Sequence, residues 1–268
     1  MTTIRSPAVA SLFYPADAQQ LRQDVQSLLA KADGHDFKPK ALIVPHAGYQ
    51  YSGAIAAAAY ATLRTVAADI QRVVLLGPAH RVAIHGLALP GVDVFTTPLG
   101  SIKVDTHWVN LIAHLPQVSV SKAAHALEHS LEVQLPFLQS ILNAFTLLPL
   151  AVGMASAAEV AEVLDYLWGG EETLIVISSD LSHYLPYATA QHIDYQTVQS
   201  ILQLQQPIAP DHACGSVAIN GLIISAQKHQ LMPHLLDLRN SGDTAGARDQ
   251  VVGYAAIAFD QGRYAHVT

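Results

Sequence analysis

The chain has 268 residues, enough to bury a substantial core without disulfides. Hydrophobic residues make up 51% and charged residues only 13%, which excludes intrinsic disorder and a charged coiled coil. Fourteen Lys plus Arg against 21 Asp plus Glu give a formal charge of -7 with no basic stripe, so nucleic acid is not an expected partner, and the single cysteine, Cys214, excludes a disulfide framework, a four-thiolate zinc site and a Cys-x-x-Cys redox pair.

In chain order, the apolar run at 41–45 reads as a strand buried on both faces and is followed by a helical pattern at 53–66. A second such strand at 72–77 leads into 86–105, where Pro and Gly turns join shorter strands. Helical patterns at 105–115 and 127–143 precede a strand at 145–153, a helix at 155–168 and a strand at 173–179. Helices at 188–205 and 215–229 and a last strand at 251–259 complete the pattern. Strand and helix alternate, which predicts an α/β fold with a mixed, largely parallel central sheet covered by helices on both faces. No repeat, low-complexity tract or long linker interrupts it, so one domain over 1–268 is expected. The apolar stretches fall short of a bilayer span and the start lacks the order of a signal peptide, so a soluble cytoplasmic protein that keeps clear of membranes is expected.

Ligands of open α/β sheets bind beyond the carboxyl ends of the strands. His46 follows the strand ALIVP, His80 follows VVLLGPA, and Asp180 and His183 follow LIVISS, so three strands deliver imidazole to one rim. Cys214, in DHACGSVAING, stands at the start of a helix, where the helix N-terminus is expected to lower the thiol pKa. His46, His80 and Cys214 would then form a facial set of two imidazoles and a thiolate with open positions. Such a set suits Fe(II), zinc or copper and does not suit magnesium or calcium. In EHSLEVQLPFL, Glu128, His129 and Glu132 are expected within the first turn of a helix. There the acids read as complements of the helix dipole or as a pair flanking one point, and His129 as an outer partner of the site or a substrate contact. The remaining histidines, among them His35, His107, His114, His192, His229, His234 and His266, are explained by solvent exposure.

Seven segments in order, VPHAGYQYSG, LGPAHRV, VDVFTTPLGSIKVD, EHSLEVQLPFL, SSDLSHY, ACG and SGDTAGARDQVVGYAAIAF, resemble the Memo family over nearly the whole chain. Its microbial members are called AmmeMemoRadiSam system protein B. The resemblance implies a three-layer α/β/α sandwich like that of the class III extradiol dioxygenases, which are non-haem iron enzymes. It also implies that His46, His80 and Cys214 line a metal-capable pocket and that His183, with Asp180 beside it, looks like the dioxygenase acid/base histidine. Phe13, Tyr14, Tyr49 and Tyr51 fall in segments similar to those that wall the family's pocket. Cys214 stands where the dioxygenases have a carboxylate, and a thiolate there is softer and more oxidisable. Family association with AMMECR-type and radical-SAM proteins is implied as well.

Three functions compete on these residues. The favoured one is a metal-dependent oxidoreductase using Fe(II), with zinc or copper as alternatives, and an oxygen-dependent activity on an unknown small molecule or protein. The second is a metal-free hydrolase or transferase with Cys214 as nucleophile. The third is a module that binds a peptide or small ligand without turnover.

Overall fold

A computed structural model describes residues 2–34 and 38–262; the readings of His35 and His266 lie outside the described residues. The core is a nine-stranded mixed sheet. Its centre is four parallel strands, β2 (Pro39–Val44), β9 (Thr173–Ser178), β3 (Arg72–Pro78) and β8 (Thr146–Val152), adjacent in that order. Beyond β8 lie β4 (Leu87–Leu89), antiparallel to it, and β7 (Val118–Val120). Beyond β2 lies the antiparallel β12 (Val251–Asp260), which also pairs with β10 (His183–Leu185) and β11 (Met232–Asn240). A small second sheet joins β1 (Ile4–Arg5), β5 (Val94–Thr97) and β6 (Gly100–Lys103).

The central strands are apolar throughout because alternate side chains enter two separate cores. Leu42, Val44, Val73, Leu75, Leu174 and Val176 point into one, which is covered by α1 (Ala18–Lys31), α2 (Tyr49–Ala61) and α5 (Leu135–Ile141). Ala41, Ile43, Val74, Leu76, Ile175 and Ile177 point into the other. That side is covered by α3 (Thr106–Ile112), α6 (Ala157–Tyr166), α7 (Tyr187–Leu202) and α8 (Ser216–Lys228). The result is the expected α/β/α sandwich. No helix among the described residues is long and apolar enough to cross a membrane.

Among the elements not foreseen are one helix and one long strand. Helix α1 is capped by Asp17, whose carboxylate accepts from Gln20 N–H at 2.8 Å, and it buries Leu21, Val25 and Leu29 on one stripe. β11 mixes polar and apolar residues, so its place beside β12 is set by pairing and not by an apolar run. One expectation is corrected. The helix expected over 127–143 is broken into α4 (Lys122–Ala126) upstream, an irregular stretch from Leu127, a 3₁₀ turn at Glu132–Gln134 and α5. Glu128 accepts the N–H groups of His129 and Ser130, both at 2.9 Å, which offers the backbone an alternative to a helical turn, and Pro136 sits at the helix start where its missing donor costs nothing.

Candidate metal centre

The register of the parallel strands aligns their carboxyl ends: Val44 is paired with Ser178, and Leu76 with Ile177. His46, two residues past β2, therefore stands next to Asp180, two residues past β9, and its main-chain N–H donates to Asp180 Oδ1 at 2.7 Å. His80, two residues past β3, completes the rim. Its ring centroid is 5.3 Å from that of His46, edge to face.

The third imidazole comes from the irregular stretch before α5. That segment reaches the sheet because position 77 is glycine: a Cβ there would lie 2.8 Å from Ser130 Oγ and 3.0 Å from Leu131. His129 then stacks on His80 with centroids 4.7 Å apart and meets His46 at 5.4 Å. The ligand atoms of His46, His80 and His129 all lie within 4.8 Å of one another, so the three side chains can hold one metal ion. Nδ1 of His129 is buried without a hydrogen bond and lies 3.3 Å from Glu128 Oε1.

Glu128 organises the cluster. Its Oε2 accepts His80 N–H at 2.6 Å and its Oε1 lies 3.0 Å from His80 Nδ1. Burial works to raise the Glu128 pKa, but the bonds from the His80 ring and the Ser130 and His80 N–H groups outweigh it and hold the carboxyl at about 2. Glu132, expected to flank the same point, faces elsewhere. It accepts from Arg5, from the Ala8 and Val9 N–H groups at 2.7 and 3.0 Å, and from Tyr14 OH at 2.5 Å. It thereby fixes the segment carrying Phe13, whose ring lies 4.8 Å from His129.

Burial disfavours the protonated form of His46, His129 and His183. Burial first, then His129 and His80, push the pKa of His46 well below its ordinary value. Burial lowers His129 to about 4. Half-buried His183 is lowered by the same cause, and its charge bears on His46. Burial raises Asp180 to about 7, against the His46 and Ala47 N–H groups that it accepts. Burial thus favours the neutral form of His46 and His129, the form that binds metal.

Cys214 lies beside this cluster, its Sγ 3.3 Å from His46 Nε2. The next residue is glycine because a Cβ at 215 would lie 2.6 Å from Ser179 Cβ. The expected lowering of the thiol pKa is corrected: burial, and then the Asp180 charge, push it up to about 12, and the half-buried thiol is neutral at pH 7. Iodoacetamide at pH 8 should therefore alkylate the metal-free protein on the order of a thousandfold more slowly than a free thiol, with the rate still climbing above pH 9. Reaction at the free-thiol rate, read by mass spectrometry, would refute this environment.

Of the aromatic residues, Phe13 and Tyr51 are half-buried. Tyr49 is buried, with its phenol donating to Val133 O at 2.8 Å and its ring against Tyr14 and Phe137. His107, His114 and His192 are exposed as expected. His229 and His234 are half-buried against Asp165 and Asp260, and His229 stacks on Trp168, so carboxylate pairing explains them better than solvent. A cleft of about 290 Å³, walled by Ile84, Val152, Val217 and Ala218, opens onto His80 and Cys214. A larger cavity of about 500 Å³ lies at the opposite end of β2 and β9, around Lys40, away from the histidines.

An α/β/α sandwich with a cluster of histidines at the carboxyl ends of its parallel strands defines a class of metal-capable rim proteins. The chain belongs to the Memo family, whose description, Memo-like protein, matches residues 5–258. A MEMO1 family protein of Aquifex aeolicus is 35% identical, covering 96% of this chain and 99% of that protein. Relatives of the same description from Methanosarcina mazei and Methanopyrus kandleri are 34% and 32% identical over equal shares of this chain and 99% of their own. Among solved structures, an uncharacterized protein of Escherichia coli K12 superimposes with a TM-score of 0.52 at 17% identity, covering 81% of this chain and 98% of that one, a likeness of fold alone.

Proposed function

We propose that the chain is a metalloprotein in which His46, His80 and His129 hold one divalent transition ion, Fe(II) foremost with zinc or copper as competitors, with Cys214 as an adjoining sulfur donor. The observation that carries this reading is the mutual approach of three imidazole nitrogens within 4.8 Å. Nitrogen donors with a nearby sulfur match the preferences of these metals and exclude calcium and magnesium. Bound Fe(II) would supply oxygen-dependent redox chemistry. The protein's own groups would bind a small molecule in the cleft beside His80 and move a proton at His183, with Asp180 next to it. Association with AMMECR-type and radical-SAM proteins belongs to the same reading. The metal-free nucleophile is disfavoured, because a thiol held at about 12 supplies little thiolate at neutral pH.

Anaerobic titration of the chelator-treated protein with Fe(II) or Co(II) should reach one ion per chain. Oxygen uptake by the iron form with a panel of phenols and thiols then tests the redox part. Failure to bind any of Fe(II), Co(II), Zn(II) or Cu(II) would overturn the metal assignment. Stoichiometric binding without oxygen uptake would retain the metal and remove the oxidoreductase.

A further inference from the structure

Metal binding by imidazole requires one ring nitrogen bare, and the partner of the other nitrogen decides which one that is. For His80 the partner is a carboxylate, which only accepts, so Nδ1 carries a proton. For His46 the partner is the Ser178 hydroxyl, 2.8 Å from Nδ1, and a hydroxyl can donate or accept. The choice is settled further along the network.

Gln134 lies with one amide atom 2.9 Å from the Pro45 carbonyl and 2.8 Å from Ser178 Oγ, while its other amide atom is 2.8 Å from Tyr60 OH. A carbonyl oxygen only accepts, so the atom facing Pro45 is the amide nitrogen, and its second hydrogen points to Ser178. Ser178 Oγ therefore accepts from Gln134. Its own hydrogen goes to the Ser130 carbonyl, 2.6 Å away, another group that only accepts. The oxygen has one lone pair left, and His46 must donate to it from Nδ1. That leaves Nε2 bare, 3.3 Å from Cys214 Sγ. Every atom of this relay is buried: Tyr60, Ser130, Gln134 and Ser178 show no solvent exposure and His46 only 1%. Water therefore offers no alternative partner, and an unmade bond costs its full desolvation.

We infer that Gln134 and Ser178 are positioning residues that set the tautomer of His46 before any ligand arrives, so that the segment Glu128 to Gln134 directs the Nδ1 protons of two imidazoles that follow two different strands. The one segment supplies Glu128 to His80, and Ser130 and Gln134, through Ser178, to His46. The inference deepens the metal reading above and does not depend on it, because the tautomer is a property of the metal-free protein.

The test is long-range proton–nitrogen NMR on metal-free protein carrying ¹⁵N-histidine, at pH 7.5, with the His46 signals identified by their absence in His46→Gln. His46 should be found protonated at Nδ1. Ser178→Thr, which keeps the hydroxyl, should retain that tautomer. Ser178→Ala should move His46 to the Nε2-protonated form, since the Gln134 amide then becomes the available partner of Nδ1. Co(II) affinity should fall about 10- to 100-fold in Ser178→Ala and recover in Ser178→Thr. Wild-type His46 protonated at Nε2, or an unchanged tautomer in folded Ser178→Ala, would overturn the proposal. Should Ser178→Ala not fold, the wild-type tautomer still decides. A wild-type Nδ1 proton in a protein that binds no Co(II) would uphold the tautomer assignment and sink the metal reading alone.

Discussion

Replacing Glu132 by alanine should lower the stability of the folded protein by about 3–5 kcal/mol, the range for removing one partner of a buried ion pair. The carboxylate is fully buried and serves four donors: the Arg5 guanidinium, two main-chain N–H groups and the Tyr14 phenol. Without it the Arg5 charge, 5% exposed, keeps the His125 and Glu128 carbonyls, at 3.1 and 2.6 Å, and the face of the Phe95 ring. Urea denaturation of Glu132→Ala and Glu132→Gln measures this, with the glutamine variant expected to lose less because it keeps an acceptor and the volume. A loss under about 1 kcal/mol in Glu132→Ala would show that the pair carries little of the stability. The same carboxylate holds the segment that places Phe13 on His129, so the alanine variant should also loosen the metal centre.

The second large effect is expected from His46→Ala, which should weaken Co(II) binding by more than about a hundredfold, exceeding the loss expected from an outer partner of a ligand. His46 is the member of the cluster reached from the most sides, with Asp180, Ser178, Cys214 and two imidazoles around it. Equilibrium titration against a competing chelator reads the change. Cys214→Ser and His129→Ala, measured in the same series, rank the third donor: the mutual distances favour His129, so His129→Ala should cost more than Cys214→Ser. Unchanged affinity in His46→Ala would remove the cluster as the binding site.

Much of this architecture was legible beforehand. The uninterrupted apolar runs now seen as β2, β3, β8 and β9 could only be strands covered on both faces, and a polar residue just past such a strand must stand on the sheet's rim. That logic led to His46, His80, Asp180 and His183. It could not lead to the roles of Glu128 and His129, because their spacing mimics a helical turn. The turn is overridden by Glu128 bonding to the next two N–H groups and by the close approach that Gly77 permits.

What the sequence by itself determined is therefore the layered fold and the rim, since both follow from the local periodicity of burial along each segment. Only the tertiary structure decided the third imidazole, the neutral Cys214 thiol, the pairing of Glu132 with Arg5 across 127 positions and the Gln134–Ser178 relay to His46. The physical reason is that charge state, tautomer and hydrogen-bond direction depend on which groups surround an atom once water has been expelled, and those groups come from distant parts of the chain.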